Sequence, residues 1–436
     1  MAFQQRKTRD IRILSLLAQH YGQELVEALK SAFVGLFSYN NLIWDLGYIF
    51  RYILTRKGLF FGIQICQHLL TQQWKLSLGL PFTTASTHQI IGGTVRFAVT
   101  FLISPIIHNF SATNLAIVSS FCLIMSYTTV FMWNFLQLPV DLFIIAQIMF
   151  GVFNGTGSGI GYATVNIVTQ QWLDKKRAKL NPYIMAGSPI FALSGTILFT
   201  VMCDLYTWSG AVLVLIGLML NCIVVVLLFT EHPEYKPEKK KSTVGELLKS
   251  EVVKHPLFQK IIAFNLCQTG FIMIPFFTQT INIATEYGLT EEQVRNMMII
   301  GTTFDIAFRP VMSKLAERFR VTQLAIGWSL LFFVQNIVGY YARDVIGFYI
   351  LEALIGASLA ATGMKFVLIM ECLGTENLPD YFAIEQAITI PISLAIPYGL
   401  AYLGNMIGNP SIIYLLCVVG SFVNLLLALA LDRSIR

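Results

Sequence analysis

Apolar residues in this chain come in long runs, not in alternation. Runs of about 20 mostly apolar residues, enough to carry a helix across a bilayer core, occupy 87–108, 113–133, 140–168, 182–204, 209–230, 259–284, 293–313, 320–341, 345–372, 380–404 and 410–431. Each predicts a membrane-spanning helix. A twelfth is expected before residue 87, where two windows compete, 31–54 and 46–71. The second holds Arg51, Arg56 and Lys57, tolerated in hydrocarbon only if they snorkel or face a cavity.

The longest polar stretch, 231–258, is rich in Pro and Lys and reads as a solvated linker with a short helix. It divides the chain into two halves of six spans, the layout of parallel-repeat transporters. The expected organisation is an N-terminal amphipathic or cytoplasmic segment (1–44), a first six-helix bundle (45–230), the linker (231–258), a second six-helix bundle (259–431) and a tail (432–436). The fold class is an all-α membrane protein of twelve transmembrane helices.

Composition agrees. Hydrophobic residues make up 55% of the 436 and charged residues only 12%, with a mean hydropathy of +0.65. A soluble enzyme needs more charge to cover its surface; a protein solvated by lipid does not. The seven cysteines, Cys66, Cys122, Cys203, Cys222, Cys267, Cys372 and Cys417, form no CxxC or metal-ligand spacing and read as buried thiols. Met1–Arg12 is polar and basic, so no cleavable secretory signal opens the chain.

Most of the 30 Lys and Arg fall in segments that share one side of a twelve-span topology: 172–181, 231–258, 314–320 and the two tails. The positive-inside rule then places both termini and the central loop in the cytoplasm. The net charge of +6 is thus a topology signal, not a nucleic-acid patch. Asn109-Phe110-Ser111 matches a glycosylation acceptor; in this topology it faces the cytoplasm and stays unmodified.

The glycine-rich run 151–161 includes Gly155, Gly157 and Gly159. No strand precedes it, so a dinucleotide loop is excluded in favour of a close helix crossing.

Ionisable residues inside spans are costly and mark function. Asp305 and Arg309 are four apart and share a helix face, with Pro310 next. They form either a structural ion pair or an anion site with a linked proton. Arg offers a permanently charged planar fork for a carboxylate. A carboxylate that competes for Arg309 strips Asp305 of its counter-charge and favours proton uptake there. Arg96 lies mid-span and is a candidate substrate contact; Lys365 either snorkels or contacts substrate; His68 is a candidate proton carrier.

Several of these residues carry a resemblance. Lys175-Lys176-Arg177, the following Ala186-Gly187-Ser188-Pro189, and Phe304-Asp305-Ile306-Ala307-Phe308-Arg309-Pro310 resemble the monocarboxylate transporters of the major facilitator superfamily. Trp208, Gly210, Asn221, Glu371-Cys372-Leu373-Gly374 and Pro397 are similar to further family positions, though Ser209 replaces the usual Arg. The likeness covers about 87–434. The family's DGGWGW-like opening is matched only in part by Ile43-Trp44-Asp45-Leu46-Gly47-Tyr48. Counting on from Asp45 favours 46–71 as the first span and sets the family's proton-accepting Lys at or beside His68, where no Lys stands.

The resemblance implies alternating access between two bundles. It also implies transport of a small organic anion, a monocarboxylate above all, with the carboxylate on Arg309 and the proton on Asp305. It implies a plasma-membrane location, and in some relatives a single-span accessory glycoprotein. No metal or organic cofactor and no catalytic residue is expected, and the partners are substrate, H+ and membrane lipid, not nucleic acid. Gly187, Ser188, Pro189 and Pro310 are read as helix-packing positions. Two competitors share the apolar pattern: a proton-independent facilitative carrier of an aromatic amino acid or other larger solute, and a non-transporting scaffold or receptor. The six scattered histidines show no HxxxD or HExxH pattern, which disfavours a membrane-embedded enzyme.

Overall fold

The computed structural model describes residues 63–80, 82–106, 110–173, 177–227, 255–374, 378–409 and 411–435. Contacts divide the chain at Arg51/Tyr52, and every described residue belongs to the second unit. The segment 1–44, the window 31–54, most of the linker 231–258 and Asn109 lie outside the described residues.

Among the described residues the fold is all helical. The first bundle contains α1 (Ile63–Leu78), α2 (Thr87–Ile106), α3 (Ala112–Phe135), α4 (Phe143–Leu173), α5 (Arg177–Met185) and α6 (Gly187–Leu227). Thr207 interrupts α6 with a φ of 66°, a backbone conformation non-glycine residues rarely adopt. This break makes the two limbs of α6 separate spans; α5 and the first limb together form one. The second bundle contains α7 (Pro256–Gln268), joined through a π-helical turn (Thr269–Met273) to α8 (Ile274–Glu286), then α9 (Glu291–Arg318), α10 (Val321–Tyr341), α11 (Val345–Thr362), α12 (Met364–Leu373), α13 (Leu378–Ile407) and α14 (Ile412–Ile435). α7 with α8, and α11 with α12, each form one span. The described helices thus make up twelve transmembrane spans in two six-helix bundles. Among the described residues six stretches are long and apolar enough by themselves to cross a membrane.

Of the two sequence windows for the first span, only the end of 46–71 falls within the described residues. α1 runs on to Leu78, seven residues past the end of 46–71, because its buried face is carried by Leu69, Leu70 and Trp74 amid glutamines. Trp74 is fully buried, edge-on to Phe143 at 4.9 Å and to His88 at 4.8 Å, and anchors α1 in the first bundle's core. The cysteines also depart from expectation. Of the five described, all free, only Cys417 is fully buried; Cys122, Cys203, Cys267 and Cys372 are half-buried.

Glycine sets how closely α4 meets its neighbours. A Cβ on Gly155 would lie 2.6 Å from the Gly92 carbonyl, and one on Gly159 would lie 2.7 Å from the Arg96 carbonyl. Gly157 points the other way, 2.8 Å from the Ser119 carbonyl of α3. The Ser119 hydroxyl donates to the Gly157 carbonyl and that of Thr100 to the Gly159 carbonyl. Small residues at this spacing let backbones approach and polar groups bridge, and here they fix α2, with Arg96, against α4.

The two bundles meet through α2 against α13 and through α5 and α6 against α9. Near the start of α5 the Asn181 side chain donates to the Gly363 carbonyl, the Ser313 hydroxyl donates to the Lys179 carbonyl at 2.7 Å, and Lys179 pairs with Glu317. These contacts tie the bundles at the helix ends flanking the basic 172–181 loop.

Candidate functional site

α9 begins with a capping box, in which Thr290 and Gln293 satisfy each other's backbone amides. Fourteen residues on, the helix carries Asp305 and Arg309 into the protein interior, 6% and 5% exposed. The i,i+4 spacing puts both on one face. Arg309 Nη2 lies 2.8 Å from Asp305 Oδ1 and donates to Oδ2 at 3.0 Å. Nε and Nη1 of Arg309 have no hydrogen-bond partner. Three of the guanidinium's five N–H donors are therefore unspent in a place where water is scarce. Pro310 directly follows inside the helix and has no amide to bond the carbonyl one turn back.

α11 presses on α9 at this point. A Cβ on Gly356 would meet the Gly301 carbonyl and lie 2.9 Å from the Asp305 amide. Glu352, one turn before Gly356, sets its carboxylate against Gly301 and is 5% exposed. The acid's position beside the Asp305 helix was not singled out from the sequence.

A second charged group sits between the bundles. Lys365 of α12 does not snorkel; it pairs with Glu385 of α13, whose side chain is 1% exposed. Arg96 of α2 is half-buried, with its guanidinium 5.6 Å from the Tyr162 ring of α4 and 5.1 Å from that of Phe97. Tyr162 meets Phe366 and Phe382 of the second bundle, each at 6.1 Å. Glu385, like Glu352, was missed although the rule that flagged Lys365, charge within an apolar run, selects both.

At 1.5 Å per residue, Arg96, Tyr162, Arg309, Lys365 and Glu385 all lie about 10 to 17 Å from the helix ends on the side of the 172–181 loop. That depth is near the middle of a core about 30 Å thick. Gly187, Ser188 and Pro189 open α6 after the break at Ala186, with Gly187 and Pro189 buried. His68 belongs to α1, and its side chain lies outside the described residues. Among the described residues no group of three or more His, Cys, Asp and Glu gathers to hold a metal ion.

Comparison with known proteins agrees with this architecture. The family model of the Major Facilitator Superfamily matches residues 75–282. Monocarboxylate transporter 4 of Gallus gallus is 24% identical over 239 residues, covering 52% of this chain and 50% of the relative. Monocarboxylate transporter 1 of Mus musculus is 31% identical over 105 residues, 23% of this chain and 21% of the relative. The chain thus spans about half the length, or less, of the curated relatives it matches. Among solved structures, the major facilitator transporter FucP in its outward conformation aligns with a TM-score of 0.63 at 12% identity, over 88% of this chain and 99% of that one. The proton:xylose symporter XylE aligns with a TM-score of 0.66 at 12% identity, over 89% and 95%. In helix order and two-bundle fold the chain is similar to transporters of the major facilitator superfamily, and in sequence to the monocarboxylate transporters among them.

Proposed function

We propose that this protein is a secondary transporter of a small organic anion, a monocarboxylate in the first instance, working by alternating access of its two bundles. The observation that carries the reading is the buried Asp305–Arg309 pair with two guanidinium nitrogens unpartnered. A scaffold gains nothing from a buried ion pair, which at best breaks even against apolar packing. A carrier gains a fork shaped for a carboxylate. The similarity to proteins named monocarboxylate transporters supports the same substrate class.

In this reading the incoming carboxylate accepts from the free Nη1 of Arg309. The pair is already neutral, so one added anion leaves a net negative charge in a medium of low dielectric constant. A proton on Asp305 cancels it, and anion and proton move together. The protein sits in the plasma membrane with both termini in the cytoplasm. An accessory single-span glycoprotein, as some relatives use, belongs to the same reading.

The experiment is uptake of radiolabelled short monocarboxylates into cells expressing the chain, at external pH 6 and pH 8, beside Arg309→Ala with surface expression matched. Uptake faster at pH 6 and lost in the variant supports the proton-linked carrier. Equal uptake at both pH values removes the proton from the cycle and leaves Asp305 as Arg309's counter-ion. Uptake unaffected by Arg309→Ala overturns the site.

A further inference from the structure

The charge at the bundle interface does not balance. Lys365 and Glu385 neutralise each other, and Glu385 Oε2 has no hydrogen-bond partner. Arg96 stands 5.6 Å from the Tyr162 ring, and that ring meets Phe366, the direct neighbour of Lys365, at 6.1 Å, so Tyr162 links the two cations across the bundle interface. Among the described residues Arg96 makes no ion pair with a carboxylate; its guanidinium lies against the rings of Phe97 and Tyr162. Tyr381, four residues before Glu385 on α13, accepts a hydrogen bond from Asn265 through its hydroxyl. The cluster thus holds two cations and one carboxylate in a membrane-buried setting, a net charge of plus one. An uncompensated charge there is costly, and the ligand that removes the cost is a single anion. This is the reverse of the Asp305–Arg309 pair, which is neutral before any ligand arrives.

The aromatic groups around the cluster add a second requirement. Tyr162, Phe366 and Phe382 meet edge-on or tilted across the bundle interface, with Phe366 and Phe382 5.3 Å apart. Phe366 directly follows Lys365, and Phe382 lies three residues before Glu385. A ligand whose charged end reaches Arg96 therefore has ring edges and faces beside its body, a lining that suits a flat apolar group.

We propose that Arg96 and Lys365 form a second anion site, between the bundles, for the carboxylate of an organic acid with a planar apolar body, and that Glu385 holds Lys365 while the site is empty. One carboxylate neutralises the cluster, so binding here takes no proton. Glu385 acts as an internal stand-in for the ligand: it competes for the same ammonium. The site does not depend on the Arg309 reading, since it uses other residues and another charge balance.

The test is equilibrium binding of radiolabelled benzoate to the purified full chain in lipid nanodiscs at pH 6 and pH 8, with unlabelled acetate as competitor. The expected result is equal binding at both pH values, at least tenfold weaker in Arg96→Gln and restored in part by Arg96→Lys. Glu385→Gln frees Lys365 and raises the cluster to plus two, so it should tighten benzoate several-fold. That gain is a result which misfolding does not produce. Benzoate binding unchanged in Arg96→Gln, weakened in Glu385→Gln, or absent from the native chain overturns the site. Acetate competing as well as benzoate itself removes the planar body from the proposal. Proton-linked uptake through Arg309 is read by the pH 6 transport assay and fails or stands separately.

Discussion

Arg309 reaches back one helical turn to Asp305, its Nη2 2.8 Å from Oδ1, and neither residue is more than 6% exposed. A buried pair of this kind is far more sensitive to losing one partner than both, because the survivor is left as an uncompensated charge. Arg309→Ala should destabilise the protein by about 3–5 kcal/mol. The double variant Asp305→Asn/Arg309→Gln should recover most of that loss while remaining inactive in uptake. Thermal unfolding in detergent of the single and double variants, set beside their transport rates, checks this. A double variant as unstable as Arg309→Ala would show that the pair's charge balance is not what holds α9 in place.

The α9–α11 crossing rests on an absent side chain. Gly356→Ala sets a methyl against the Gly301 carbonyl and 2.9 Å from the Asp305 amide. Backbone is what it meets, so α11 must move away and carry Glu352 with it. The expected cost is about 1–3 kcal/mol, typical of overpacking a close contact, together with reduced uptake. Gly327→Ala on α10 is the control, since a Cβ there meets nothing within 4 Å, and it should be neutral or slightly stabilising through helix propensity.

Gly155→Ala makes the parallel case in the first bundle. Its methyl would stand 2.6 Å from the Gly92 carbonyl and 2.7 Å from Val95 Cβ, pushing α2 off α4 and shifting Arg96, one residue beyond Val95. Folding stability should fall, and any binding carried by Arg96 should weaken in step. Gly93→Ala, one residue from the contact and with nothing within 4 Å, should leave both unchanged.

The spans were legible because a bilayer demands an unbroken apolar stretch of fixed length. The run 113–133 became Ala112–Phe135, and 320–341 became Val321–Tyr341. The break at Thr207 falls in the gap between the runs 182–204 and 209–230. The breaks inside spans were not legible: nothing in the hydropathy marks Ala186 or Gly363 as a point where one helix ends and another begins, and backbone geometry and packing set them. α1 was poorly placed because Gln67, Gln72 and Gln73 dilute its apolar signal, while burial of Trp74 fixes it. The candidate site divides in the same way. Asp305 and Arg309 are partners four residues apart, so their pairing is written locally. Glu385 finds Lys365 twenty residues away on another helix, and Arg96 meets Tyr162 only because Gly159 lets α2 and α4 touch. Those relations are tertiary and have no local spelling.

The ties between bundles differ in burial, and that ranks their effect on the alternating motion. Lys179 and Glu317 pair with side chains 44% and 45% exposed, where an ion pair contributes about 0–1 kcal/mol and salt screens it. Asn181 is fully buried and donates to the Gly363 carbonyl at the α11–α12 break. Its loss leaves a buried carbonyl short of a donor, at about 1–3 kcal/mol. Asn181→Ala should therefore shift the bundles toward separation at this end far more than Glu317→Gln does. A cysteine introduced at Ser313, whose hydroxyl crosses to the Lys179 carbonyl, reports the shift through its rate of labelling by a water-soluble maleimide. Labelling should rise strongly with Asn181→Ala and barely with Glu317→Gln. Equal acceleration by both would mean that the exposed ion pair, not the buried amide, keeps this end closed.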